Sequence, residues 1–110
     1  MKSSLCLSLC LLAFSPTGLA QTIDYDQRNL HIFCASHLAV VSESLDKDGD
    51  EYQALEYLSG MHRTAARRLQ AEPQHFVDVV QYLKRVRASD PQKWQALSDQ
   101  SKRVCLPDSQ

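Results

Sequence analysis

Apolar side chains recur at intervals of three and four residues through most of the chain after residue 24, which is the spacing of one face of an α-helix. In the first such stretch, over about 25–45, the stripe consists of Leu30, Phe33, Cys34, His37, Leu38, Val41 and Leu45. Ile32 and Val40 widen the stripe, so we expect this helix to be the most buried one. Thr22 or Asp24 can cap its start.

A second helix is predicted over about 51–70, after an acidic turn at 46–50. Its apolar side consists of Tyr52, Leu55, Leu58, Met61, His62, Ala65 and Leu69. Gly60 lies inside this helix, where a glycine costs roughly 1 kcal/mol relative to alanine. We hypothesise that it permits close packing against the small residues of the first helix, Ala35, Ala39 and Ser42.

Two prolines mark the start of two further helices. Pro73 suits the first turn of a third helix, whose apolar residues are Phe76, Val79, Val80, Leu83 and Val86. Asp90 as N-cap and Pro91 as first helical residue begin a fourth helix, which carries Trp94, Leu97, Val104 and Cys105. No sustained strand-like alternation is present. The sequence therefore predicts an all-α fold, a small compact bundle of about four helices whose short turns favour antiparallel neighbours.

The first twenty residues have the layout of a secretory signal peptide. Lys2 supplies a positive start, residues 5–14 are mostly apolar, and small residues stand at Gly18 and Ala20. The apolar run is too short to cross a bilayer of roughly 30 Å, so we expect no membrane anchor. We predict cleavage after Ala20, a single helical domain over 21–110, and a periplasmic or secreted location.

Removal of residues 1–20 takes away two of the four cysteines, Cys6 and Cys10. The remaining pair, Cys34 and Cys105, is expected to form a disulfide, because small exported domains use paired cysteines to stabilise a limited core. The closed loop of about 70 residues is worth on the order of 4 kcal/mol in the chain-entropy description. The disulfide would connect the last helix to the first.

Charge argues against a polyanionic partner. Loss of Lys2 lowers the formal net charge from −1 to −2, and the basic ends of the second and third helices lie at opposite ends of an antiparallel bundle. We therefore expect no nucleic-acid partner. Catalytic motifs of the nucleophile-elbow, zinc-protease, phosphate-loop and dinucleotide types are absent from the sequence. We expect neither an enzyme nor a bound cofactor.

The sequence predicts no metal site, and two groups of residues are the candidates that were weighed for one. Asp46, Asp48 and Asp50 resemble the opening of a calcium-binding EF-hand loop, but the sixth position is Glu51 and the twelfth is Tyr57. We interpret this segment as an acidic turn in which Asp48 or Asp50 caps the second helix.

The second group consists of three histidines, His31, His37 and His62, whose imidazoles suit zinc or copper. Cys34 lies between two of them but is expected in the disulfide. We interpret the three as partly buried helix-face residues.

The side chains most suited to binding a protein partner lie on the second helix. Tyr57 stands off the apolar stripe, and large amphipathic rings dominate binding hot spots. Arg63, Arg67 and Arg68 form the basic end of the same helix. These four residues are the candidate partner-binding set.

The export leader, the helical pattern and one long-range cysteine pair together resemble small periplasmic all-helical proteins that bind other proteins, including type VI amidase immunity proteins. No functional residue is carried over from this resemblance. The leading hypothesis is a non-catalytic protein-binding or inhibitor-type protein whose partner is in the cell envelope or is an incoming effector. Two alternatives stay open. One is a periplasmic metal or small-ligand carrier using His31, His37 or His62, and the other is an acid-responsive periplasmic chaperone.

Overall fold

The structure, a computed structural model, describes residues 22–107. The predicted leader and its cleavage point lie outside these residues. Four α-helices follow in order: α1 (Tyr25–Ser42), α2 (Asp50–Arg68), α3 (Pro73–Ser89) and α4 (Pro91–Val104). No strand occurs within the described segment, and the all-α bundle predicted from the sequence is confirmed. No helix between residues 22 and 107 has the length and apolarity required to cross a membrane.

Short-range capping explains where the helices begin. The Asp24 carboxylate accepts a hydrogen bond from the backbone N–H of Gln27 at 3.0 Å, and Asp90 accepts one from Lys93 at 3.1 Å. Each bond satisfies an amide that has no partner inside the first helical turn. The predicted caps Asp24 and Asp90 are therefore confirmed.

The α1 helix occupies the centre of the bundle. Its backbone approaches those of α2, α3 and α4, whereas the backbone of α2 approaches that of α1 alone. The sequence of α1 explains this position, because its buried residues are spread around the helix rather than confined to one stripe. One core cluster, formed by Ile32, Ala35, Ala66 and Phe76, joins α1 to α2 and α3.

A second core cluster surrounds the disulfide between Cys34 and Cys105. The two Cα atoms are 5.4 Å apart and the cysteines are separated by 71 positions in the chain. Leu38 completes the buried part of this cluster, and the partly buried residues around it are Leu30, Phe33, Leu55, Leu58 and Leu106. The disulfide fastens the end of α4 to the middle of α1, as the sequence predicted.

Close packing between α1 and α2 depends on Ser59 and not on Gly60. The Ser59 hydroxyl is buried and donates to the backbone carbonyl of Ala35 at 2.8 Å. Gly60 is exposed, and a Cβ atom added to it would meet nothing within 4 Å. The hypothesis that Gly60 packs against the small residues of α1 is therefore wrong, since successive helical positions are rotated by about 100°.

Candidate functional site

The side of α2 that faces away from α1 forms a shallow, solvent-exposed depression. We define the outer face of α2 by five of the residues that line it, Tyr57, Gly60, Met61, Thr64 and Arg68. Glu56 lies at its edge and is held towards α1, because its carboxylate accepts a hydrogen bond from the Ser42 hydroxyl at 2.6 Å. Tyr57 is 69% exposed and Met61 is 52% exposed. The two lie four positions apart and therefore on the same side of the helix. An aromatic ring and a flexible thioether are thus presented together to solvent.

The candidate partner-binding set divides in the structure. Tyr57 and Arg68 line the outer face, and Arg67 is exposed beside it. Arg63 points elsewhere, because its guanidinium lies over the Phe76 ring at 4.6 Å from the centroid. That cation–π contact connects α2 to α3 and makes Arg63 a packing residue.

Met61 is a residue of the outer face that sequence reasoning placed on the buried side of α2. Its exposed fraction of 52% overturns that assignment. The spacing contained the necessary signal, because Met61 follows Tyr57 by one helical turn. Because methionine is apolar, Met61 was nevertheless predicted to lie on the apolar side of the helix.

His31 and His62 meet across the α1–α2 interface. Their Nδ1 atoms are 3.0 Å apart, and His62 Nε2 is 2.8 Å from the backbone carbonyl oxygen of Cys105. A carbonyl oxygen can only accept, so the hydrogen of His62 lies on Nε2 and its Nδ1 accepts from His31. Burial, together with the neighbouring His62, lowers the pKa of His31 below its ordinary value.

His37 lies apart from this pair, against α4. Its ring centroid is 4.9 Å from that of Trp94, and its Nε2 is 3.4 Å from the Ser98 hydroxyl. It is only 3% exposed, and its Nδ1 has no hydrogen-bond partner within the described part of the chain. Burial lowers the pKa of His37 to about 4.

The metal-binding candidates are therefore not gathered into one site. The structure brings together His31 and His62, places His37 elsewhere and commits Cys34 to the disulfide. Within residues 22–107, no group of three or more histidine, cysteine, aspartate or glutamate side chains is arranged to hold a metal ion.

The acidic turn is held by its own backbone. The Asp46 carboxylate accepts from the Asp48 N–H at 3.1 Å, and its carbonyl accepts from the Gly49 N–H at 2.9 Å. The N-cap of α2 is Gly49, so the interpretation that Asp48 or Asp50 caps this helix is wrong. Helix α2 begins at Asp50, whereas an EF-hand keeps a loop of about twelve residues before its second helix.

A half-open cavity of about 400 Å³ lies beside His37. Its apolar wall consists of Leu38, Val41, Leu55, Trp94 and Leu106. Arg87, Lys102 and Glu51 add charge to the lining. Sequence reasoning missed this site because its residues come from all four helices and share no spacing pattern.

No protein-family model, curated protein or solved structure matches this chain.

Proposed function

We propose that this protein is an exported, non-catalytic binding protein that captures another protein through the outer face of α2. The observation that carries the proposal is the pairing of Tyr57 and Met61, which are 69% and 52% exposed on the outer face of α2. Aromatic residues and methionine are enriched where protein interfaces are fully buried. Apolar area that is exposed to water is unfavourable, and a partner that buries it lowers the free energy of the complex.

Charge indicates the kind of partner. Arg68 lines the outer face and the exposed Arg67 precedes it at the end of α2, and neither has a carboxylate within ion-pair distance in the described chain. Arginine binds carboxylates through paired, directional hydrogen bonds. The proposed partner therefore presents an apolar protrusion flanked by acidic side chains. A small bundle fixed by a disulfide loses little conformational freedom on binding, which suits an inhibitor of the immunity type.

Export is part of the same proposal. The disulfide between Cys34 and Cys105 supports an oxidising compartment, because cytosolic thiols are kept reduced. Residues 1–20 have the layout of a secretory signal peptide, which would direct the chain to such a compartment. Together they support a periplasmic or secreted protein that meets envelope proteins or incoming effectors.

A photo-crosslinking experiment tests this function. The full chain is produced with its own leader, and Tyr57 is replaced by the photoreactive residue p-benzoylphenylalanine. The same replacement at Tyr25, which is 54% exposed on α1, is the matched control. We expect a cross-linked product of defined mass from position 57 that is missing from position 25.

Two further variants define the chemistry of that product. Met61→Ala should reduce the yield of the cross-linked product. Arg67→Glu with Arg68→Glu should also reduce the yield, because two glutamates repel the acidic side chains proposed for the partner. The partner identified by mass spectrometry is then assayed for inhibition by the wild-type protein. The proposal is overturned if positions 57 and 25 give the same products, or if position 57 gives none.

A further inference from the structure

The half-open cavity between α1 and α4 is separate from the outer face of α2, since the two share no lining residue. Its volume of about 400 Å³ lies in the lower part of the range for small-molecule sites, roughly 300–1,000 Å³. Three aliphatic side chains of the wall, Leu38, Val41 and Leu55, come from α1 and α2. Trp94 of α4 faces the same space. The wall therefore suits a compact apolar group.

Two cations, Arg87 and Lys102, lie in the lining of this cavity. Arg87 and Lys102 have no carboxylate within ion-pair distance among residues 22–107. Arg87 donates one hydrogen bond to the carbonyl of Val40 at 3.2 Å, and its guanidinium lies 5.9 Å from the centroid of the Trp94 ring. A guanidinium has five N–H donors, so this geometry fixes the group and leaves further donors for a ligand.

The polar remainder of the lining limits the charge of the ligand. Glu51 is also part of the lining, so the two cations are opposed by one carboxylate. A ligand with a single negative charge balances this set, whereas a dianion would leave the cavity with a net negative charge. His37 and Ser98 supply hydrogen-bonding groups in the same lining, and His37 Nδ1 has no partner within the described segment.

We propose that this cavity binds a small amphipathic monoanion, a carboxylate of about eight to ten carbon atoms in all. The carboxylate pairs with Arg87, Lys102 adds positive potential to the same lining, and the apolar body lies against Trp94 and the aliphatic wall. This inference is independent of the proposed capture of a protein. It assigns a ligand to a different surface of the molecule.

Trp94 is the sole tryptophan of the chain and reports on the cavity directly. The probes are octanoate, 1-octanol and octylamine, which each contain eight carbon atoms and differ in the charge of the head group. Each is titrated below its aggregation limit while tryptophan fluorescence is recorded. We expect a saturable change with octanoate, binding weaker by about tenfold with 1-octanol, and no saturable change with octylamine.

Variants separate a site from non-specific adsorption. Arg87→Met with Lys102→Met should weaken octanoate binding by about tenfold or more while leaving 1-octanol unchanged. Arg85→Met with Lys93→Met removes the same charges from the same helices outside the cavity, and should leave octanoate binding unchanged. Val41→Phe fills the apolar wall and should abolish binding of both ligands in a protein that remains folded.

Several results would overturn the proposal. These are equal binding of octanoate and 1-octanol, equal effects of the two double variants, or no saturable response to octanoate. If the Arg87 and Lys102 variants fail to fold, Val41→Phe decides, because unchanged octanoate binding in that protein excludes the cavity. Photo-crosslinking at Tyr57 is unaffected by any of these outcomes.

Discussion

The His62 imidazole contacts both His31 and Cys105. Its Nε2 lies 2.8 Å from the carbonyl oxygen of Cys105, and its Nδ1 lies 3.0 Å from Nδ1 of His31. The α2 helix is thus attached both to the residue that ends the disulfide loop and to α1. The contact with a carbonyl fixes which nitrogen of His62 carries hydrogen. That in turn fixes the hydrogen position on His31.

We predict the tautomers of this pair. When both imidazole rings are uncharged, His62 carries its hydrogen on Nε2 and His31 carries its hydrogen on Nδ1. Long-range ¹H–¹⁵N correlation spectra of the histidine rings measure this directly. His75 is the internal control, because its Nδ1 accepts from the backbone N–H of Glu72 at 2.8 Å and its hydrogen therefore lies on Nε2. A His31 ring with its hydrogen on Nε2 would contradict the assignment.

We predict that His37 makes stability fall in acid. Burial holds its pKa at about 4 in the folded protein, against 6.5 ordinarily. Below pH 6.5 the unfolded chain therefore binds more protons than the folded chain, so the free energy of unfolding falls as pH falls towards 4. The full difference amounts to about 3 kcal/mol. Urea unfolding between pH 7 and pH 4 measures the loss.

The control for this prediction separates His37 from the other acid-sensitive groups. His37→Phe should remove most of the loss over that pH range, whereas His75→Gln should retain it. A direct NMR titration of His37 in the wild-type protein provides the same answer if His37→Phe is unfolded. An ordinary pKa for His37 would exclude the mechanism. Acid destabilisation of this contact between α1 and α4 is also a property that an acid-responsive chaperone would require.

We predict that Gly60→Ala stabilises the protein by about 1 kcal/mol, because alanine is the better helix former and its methyl group would meet nothing within 4 Å. For a domain of this size, the melting temperature should rise by about 4–8 °C. Gly49→Ala is the matched control. A Cβ there would lie 3.2 Å from the Asp46 carbonyl, so we expect no gain. A loss of stability in Gly60→Ala would restore a packing role for this glycine.

We predict a large stability loss when the disulfide is removed. The 71-residue separation of Cys34 and Cys105 gives about 4 kcal/mol from the restricted unfolded chain. Urea unfolding in the presence and absence of reductant measures it for the wild-type protein. In a variant with Cys34→Ala and Cys105→Ala, reductant should have no effect. Equal urea midpoints for oxidised and reduced wild-type protein would contradict the prediction.

Local chemistry made much of this fold predictable. The carboxylates of Asp24 and Asp90 cap their helices as expected, because a cap depends on residues within one turn. The disulfide was predictable because Cys34 and Cys105 are the two cysteines after residue 20, where the predicted leader ends. The cap of α2 was not predicted, because the Asp46 side chain bonds within its own turn and leaves Gly49 at the helix start.

The sequence by itself determined the class of fold, the approximate bounds of the helices and the covalent connection, because periodicity, caps and cysteine number act over short distances or through counting. Tertiary structure decided which side of α2 faces α1, and therefore that Ser59 is buried while Met61 is exposed. It also decided that His62 meets His31 while His37 faces Trp94. Such relationships depend on the rotation and separation of whole helices, which are set by the sum of many packing contacts.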